Sequence, residues 1–232
     1  MKRIGIIGAM EEEVALLKEK MTEVKVMKKA LMEFHQGKLK GKDVVVVRCG
    51  IGKVNAAVCT QILADDFQIG MVVNTGIAGS LKNEINIGDM VISTDALQHD
   101  VDAREFGYPL GQIPRMETLS FDADKTLIEL GVEACRRVNP DISVFTGRVV
   151  SGDQFIADSS RKKYISEYFQ GYCTEMEGAS IAQTAYLNQV PFVIFRAISD
   201  KADQSASADY PAFEKQAIIH SVRLVCELVD KL

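Results

Sequence analysis

Ile4-Gly5-Ile6-Ile7-Gly8-Ala9-Met10-Glu11-Glu12-Glu13 is the stretch whose reading decides the fold class of this chain. A short β-branched run ends at a glycine and passes directly into acidic residues with helical spacing. It therefore predicts a buried strand, Arg3–Ile7, followed at once by a helix, Glu11–Lys20, with Val14, Leu17 and Lys18 one turn apart. The same alternation continues down the chain. Val44–Arg48, Met71–Asn74, Met90–Ser93, Val144–Val150 and Phe192–Ile198 are apolar throughout rather than every second residue, as expected of strands covered on both faces. Helical spacing marks Val54–Ala64, Ala123–Val138, Ser159–Phe169, Met176–Asn188 and Tyr210–Leu232. The last carries a stripe of Phe213, Ala217, His220, Leu224 and Leu228, widened by Ser221, Val225 and Leu232. Strands alternating with helices predict an α/β fold, one domain spanning residues 1–232 around a central, mostly parallel sheet.

The 232 residues suffice to bury about 70% of the unfolded surface without disulfide or metal support. The formal net charge of −5 argues against broad nucleic-acid binding, which needs a basic face. Lys28–Lys29 and Arg161–Lys162–Lys163 are short enough to read as solvated surface. The five cysteines, Cys49, Cys59, Cys135, Cys173 and Cys226, are scattered and fit reduced core thiols. His35, His99 and His220 show no metal-ligand spacing, so neither metal nor cofactor is expected. Lys2–Arg3 before Ile4–Met10 superficially suggests a secretory signal, but the apolar run is short and ends in glutamates. With no apolar stretch near the roughly 20 residues of a membrane span, a cytoplasmic protein is expected.

Six glycine-bearing or acidic motifs fall at predicted strand ends, the edge where open α/β sheets bind ligands. After Gly8 come three glutamates, whose charge would repel a phosphate; they could equally serve only the helix dipole. Gly50-Ile51-Gly52-Lys53 and Asn74-Thr75-Gly76-Ile77-Ala78-Gly79 read as glycine-rich turns, either for chain reversal or for close approach of a ligand. In Ser151-Gly152-Asp153-Gln154-Phe155-Ile156, Asp153 could cap the helix beyond, and Phe155 suits either core packing or stacking on a planar base. Glu177, in Glu175-Met176-Glu177, is a helix cap or a bidentate acceptor for a ribose diol. Asp200 closes the last strand as an N-cap or a reactive acid. Arg196 lies within that strand and needs a carboxylate; Glu177 is the expected partner.

Taken together, these motifs resemble the 5′-methylthioadenosine/S-adenosylhomocysteine nucleosidases of the nucleoside phosphorylase/hydrolase family. The matching stretches are Ile4–Glu13, Gly50–Val54, Asn74–Gly79, His99–Tyr108, Ser151–Ile156, Glu175–Glu177 and Arg196–Gln204, in the family's order along nearly the whole chain. The resemblance implies a three-layer sandwich and hydrolysis of an adenine nucleoside, serving methionine salvage and S-adenosylhomocysteine removal. It implies that Asp200 is the general acid toward adenine N7 and Glu13 the general base for water. Glu177 would accept the ribose hydroxyls, oriented by Arg196. Phe155 would stack on the base, and the backbone of Ile156 would read its edge. Met10, Ile51, Met176 and Tyr210 would surround the ribose and the 5′-alkylthio group, with Gly79 and Ser199 as further substrate-binding residues. It also implies a homodimer in which the irregular segment His99–Ser120 brings Phe106 and Pro114 into the neighbouring pocket. Two positions depart from the pattern: Ile77 stands where some members carry serine, and Tyr210 where phenylalanine is common. A phosphate-dependent phosphorylase of the same fold and a non-catalytic nucleoside-binding dimer are the alternatives.

Overall fold

The computed structural model describes residues 3–232, so Lys2 of the signal-like start lies outside the described residues. The elements in chain order are β1 (Ile4–Gly8), α1 (Glu11–Glu19), β2 (Thr22–Lys29), β3 (Met32–Leu39), β4 (Lys42–Arg48), α2 (Lys53–Phe67), β5 (Met71–Ser80) and β6 (Met90–Gln98). A 3-10 turn at Arg104–Phe106 precedes β7 (Phe121–Asp122), α3 (Lys125–Val138), β8 (Val144–Ser151), α4 (Ser159–Phe169), β9 (Cys173–Glu175), α5 (Gly178–Leu187), β10 (Phe192–Asp200) and α6 (Ala206–Lys231).

The ten strands of the described residues belong to one mixed sheet. Parallel pairing runs through β4–β1–β5–β10 and again through β6–β8–β9. Antiparallel pairs β5–β9 and β10–β6 join these two groups, so β5, β9, β8, β6 and β10 close on themselves. The continuous apolar character of the central strands is explained by two cores, one on each face. Ile7, Val45, Val47, Val72 and Ile194 pack with Ala56, Cys59 and Leu63 of α2 and Ile181 and Ala185 of α5. Ile4, Ile6, Val44, Val46, Val73 and Phe195 pack with Val14 and Leu17 of α1, Leu127 of α3 and Leu224, Val225 and Leu228 of α6. Neighbouring residues on one strand thus feed opposite cores, the geometry of a helix–sheet–helix sandwich. All five cysteines are buried and unbridged.

Four sequence expectations are corrected. Thr22–Leu39 forms an antiparallel hairpin where no strand is expected. The Asn74–Gly79 motif is strand rather than turn, because β5 continues to Ser80. Helix α6 begins at Ala206, one turn before Tyr210, and contains Pro211; Phe213 is half exposed, so the buried stripe starts at Ala217. Within the Arg161–Lys163 cluster, Lys162 is mostly buried and donates to the carbonyl of Lys201 at 2.6 Å. Among the described residues, no helix is long and apolar enough to cross a membrane.

Candidate active site

A cavity of about 410 Å³ opens where β1, β5, β9 and β10 end. Four acidic residues line it: Glu13, Glu175, Glu177 and Asp200. Glu13 sits in the first turn of α1 and folds back over the end of β1. Its Oε2 accepts hydrogen bonds from the N–H groups of Ala9 at 2.6 Å and Met10 at 3.0 Å, and its Oε1 from Ile77 at 3.1 Å. The carboxylate therefore does cap its helix, yet it still lines the cavity. Burial pushes its pKa above the ordinary glutamate range, against the pull of Arg196 and the three N–H donors.

Asp200 is the last residue of β10. A register shift between Ile198 and Asp200 against β5 makes Ser199 an extra residue in the strand, a bulge that re-aims the carboxylate. Its Oδ1 accepts from the N–H of Ala202 at 2.8 Å and its Oδ2 from the hydroxyl of Ser199 at 2.9 Å. Asp200 is 2% exposed, and burial raises its pKa despite those two donors.

Beneath both carboxylates runs β5. A Cβ at Gly76 would collide with Oε1 of Glu13, and one at Gly79 would lie 2.7 Å from Oδ1 of Asp200. Glycine at these two positions is what lets two buried acids approach one strand.

The expected Arg196–Glu177 pair is not formed. The guanidinium of Arg196 is 2% exposed and bonds Oε2 of Glu175 at 2.5 Å and Oδ1 of Asn74 at 2.5 Å. Asn74 is fixed in turn by donating to the carbonyl of Ile7 at 3.0 Å. Glu175 is also held by the Ser151 hydroxyl and by the N–H groups of Gly178 at 2.8 Å and Glu177 at 3.1 Å. It, rather than Glu177, caps α5. Burial opposes its charge, but Arg196, Ser151 and Gly178 prevail and hold its pKa below the usual range. Removing one partner of such a buried pair costs about 3–5 kcal/mol, because the other charge is left uncompensated.

Glu177 faces the cavity with one donor, the N–H of Gly52 at 2.7 Å. Burial and the adjacent Glu175 push its pKa up to about 8. The Gly50–Lys53 motif thus serves as a backbone clamp on Glu177. Asp153 does not cap the helix beyond it: it accepts from the N–H of Lys53 at 2.9 Å, at the start of α2, while Asp158 caps α4.

Of the other expected site residues, Met10, Ile51, Gly79, Phe155, Met176, Ser199 and Tyr210 line the cavity. Phe155 is 54% exposed at its mouth, and its ring meets that of Tyr210 edge-on at 6.1 Å. The side chain of Ile156 turns away from the cavity and packs with Leu97, Val150 and Ile165. Arg196 stands behind Glu175 instead of in the lining. Phe106, 83% exposed, and Pro114 lie outside the cavity of a single chain. Sequence reasoning missed Glu175, although the Glu-Met-Glu motif contained it, and missed Ser207 and Pro211, which α6 adds to the lining.

Three acids of raised pKa, Glu13, Glu177 and Asp200, around an apolar cavity, with Arg196 behind it keeping Glu175 ionised, suit a reaction that develops positive charge. Comparison with known proteins agrees. Residues 3–230 match the phosphorylase superfamily. A 5′-methylthioadenosine/S-adenosylhomocysteine nucleosidase of Bacillus thuringiensis is 40% identical over 231 residues, covering 99% of each chain. The crystal structure of a nucleosidase of the same name from Neisseria meningitidis, in complex with methylthio-immucillin-A, matches with a TM-score of 0.96 at 41% identity over 100% of both chains. A futalosine hydrolase of Helicobacter pylori matches with a TM-score of 0.94 at 32% identity, over 100% of this chain and 98% of that one. The chain belongs to the phosphorylase superfamily and, within it, to the 5′-methylthioadenosine/S-adenosylhomocysteine nucleosidases.

Proposed function

We propose that this cavity hydrolyses the N-glycosidic bond of 5′-methylthioadenosine and S-adenosylhomocysteine, and of 5′-deoxyadenosine, releasing adenine and the 5′-substituted ribose. The observation that carries the reading is the pair of buried acids, Glu13 and Asp200, held by separate backbone clamps across one cavity. Breaking the C1′–N9 bond sends its electron pair to adenine and leaves an oxocarbenium-like ribosyl cation. Asp200, with its raised pKa, delivers a proton to N7, so the base departs neutral. Glu13 holds a water against C1′ and takes its proton as the C1′–O bond forms. Phe155 stacks on the base, Gly79 and Ser199 flank it, and the backbone of Ile156 reads its edge. Met10, Ile51, Met176 and Tyr210 enclose the ribose and the thioether, where soft apolar contacts suit sulfur.

Glu177 accepts the ribose hydroxyls. Its pKa of about 8 favours the neutral acid. Hydroxyl donors and the growing charge at C1′ both favour the anion, so its stabilisation is strongest where the transition state needs it. Arg196 acts through Glu175, which it keeps ionised and fixed at the start of α5. The enzyme works as a homodimer in the cytoplasm, in methionine salvage, with Phe106 and Pro114 completing the partner's pocket.

Water rather than phosphate is the nucleophile, because Glu11–Glu13 stand where a phosphorylase needs cations. Adenine release from methylthioadenosine in phosphate-free buffer tests this. The expected result is full activity without phosphate; strict phosphate dependence would overturn it.

A further inference from the structure

Helix α6 carries a pair that takes no part in the proton transfers. Tyr210 lines the cavity, and its hydroxyl lies 3.1 Å from Oε1 of Glu214, one turn further along, and 3.2 Å from Sδ of Met10. On the reading above, adenine fills the Asp200 end and C1′ lies by Glu13. The 5′ substituent then runs past Met10 and Ile51 toward this pair. We propose that Tyr210 and Glu214 make the enzyme select 5′-thioadenosines whose tail ends in a protonated amine over those whose tail ends in a carboxylate.

The chemistry of the pair is one-sided. A phenol has one proton, and a carboxylate is a far better acceptor than a thioether, so the hydroxyl donates to Glu214. What remains for a ligand is a hydroxyl lone pair and the other carboxylate oxygen, which are acceptors. Glu12 and Glu13 add negative charge toward Tyr210 from α1, and together with burial and Glu214 they disfavour its ionisation. A tail that passes the apolar lining to reach this pair meets two acceptors, the hydroxyl oxygen of Tyr210 in the lining and the Glu214 carboxylate behind it. An ammonium group satisfies them; a carboxylate is repelled. Because Glu214 is only half-buried, solvent screening limits the preference to about fivefold.

The inference rests on the proposed orientation of the substrate, so the test separates the two. Binding of 5′-methylthioadenosine, 5′-(3-aminopropylthio)adenosine and 5′-(2-carboxyethylthio)adenosine is measured by calorimetry on the Asp200→Asn protein. Adenine release from the same compounds is measured on the wild type. The expected result is an amine tail bound at least about fivefold more tightly than the carboxylate tail. Adding Glu214→Gln or Tyr210→Phe should bring that ratio to within about twofold, and high salt should shrink it in the parent protein. Equal binding of the two tails, or a preference that survives Glu214→Gln, would overturn the inference. Absence of adenine release with the tail preference intact would instead overturn the hydrolytic reading and leave the Tyr210–Glu214 assignment standing.

Discussion

Asp200 and Glu177 are both buried acids with raised pKa, but only one of them has to be protonated for the chemistry. Asp200→Asn keeps the size of the side chain and an acceptor for the Ala202 N–H, and removes the proton that the proposed mechanism gives to adenine. The loss in kcat should be about two to four powers of ten, with circular dichroism and melting unchanged. Persistence of adenine release would reassign the acid. Activity that needs Asp200 protonated falls as pH rises through its raised folded pKa, and activity that needs Glu13 ionised falls as pH drops through its own. Glu177 gives a stability signature. Its folded pKa of about 8 lies above the ordinary 4.5, so the folded state binds the extra proton. Its contribution is fully present below 4.5 and is lost as pH rises toward about 8. Melting temperature measured across that window should fall more steeply for the wild type than for Glu177→Gln. Parallel curves would show that Glu177 is ionised throughout.

At the scale of the element, the site is a property of β5 as much as of the acids above it. Gly76 pairs with Arg196 in the sheet and leaves room for Glu13, while Gly79 leaves room for Asp200. Gly76→Ala should therefore push Glu13 off the Ile77 N–H and lower kcat by about tenfold or more, while substrate still binds. A crystal structure of the variant and its kcat check this together; an unmoved Glu13 with full activity would refute it. The sequence made the strand–helix alternation legible because buried central strands are continuously apolar. It hid the β2–β3 hairpin because β2 is an exposed edge strand rich in lysine and glutamate, the composition that blunts edges against aggregation. Its turn is also unmarked: Ala30 and Leu31 both take positive φ, a conformation usually signalled by asparagine or glycine. Helix α6 looked shorter because Pro211 is favoured in a first turn, yet here it sits inside the helix.

Across the whole molecule, the three acids were legible because each follows an apolar run, and strand ends share one edge. The partner of Arg196 was not. Glu175 and Glu177 are two residues apart, and only the pairing of β9 with β8, which sets Glu175 beside Ser151, decides between them. A single chain also leaves the cavity mouth open and apolar. Ile51 in the lining is 55% exposed, and Val54, 74% exposed, and Val58 extend the apolar surface along α2; Phe106, outside the cavity, is 83% exposed. Such a surface favours covering by a second copy, with a standard interface burying about 1,600 Å² in total. Sedimentation equilibrium should give the mass of two chains. Phe106→Ala should raise KM for methylthioadenosine by about tenfold with a smaller change in kcat, since an apolar anchor from the neighbour contributes binding and no proton transfer. A fully active monomer, or a KM untouched by the substitution, would mean that each cavity closes within its own chain.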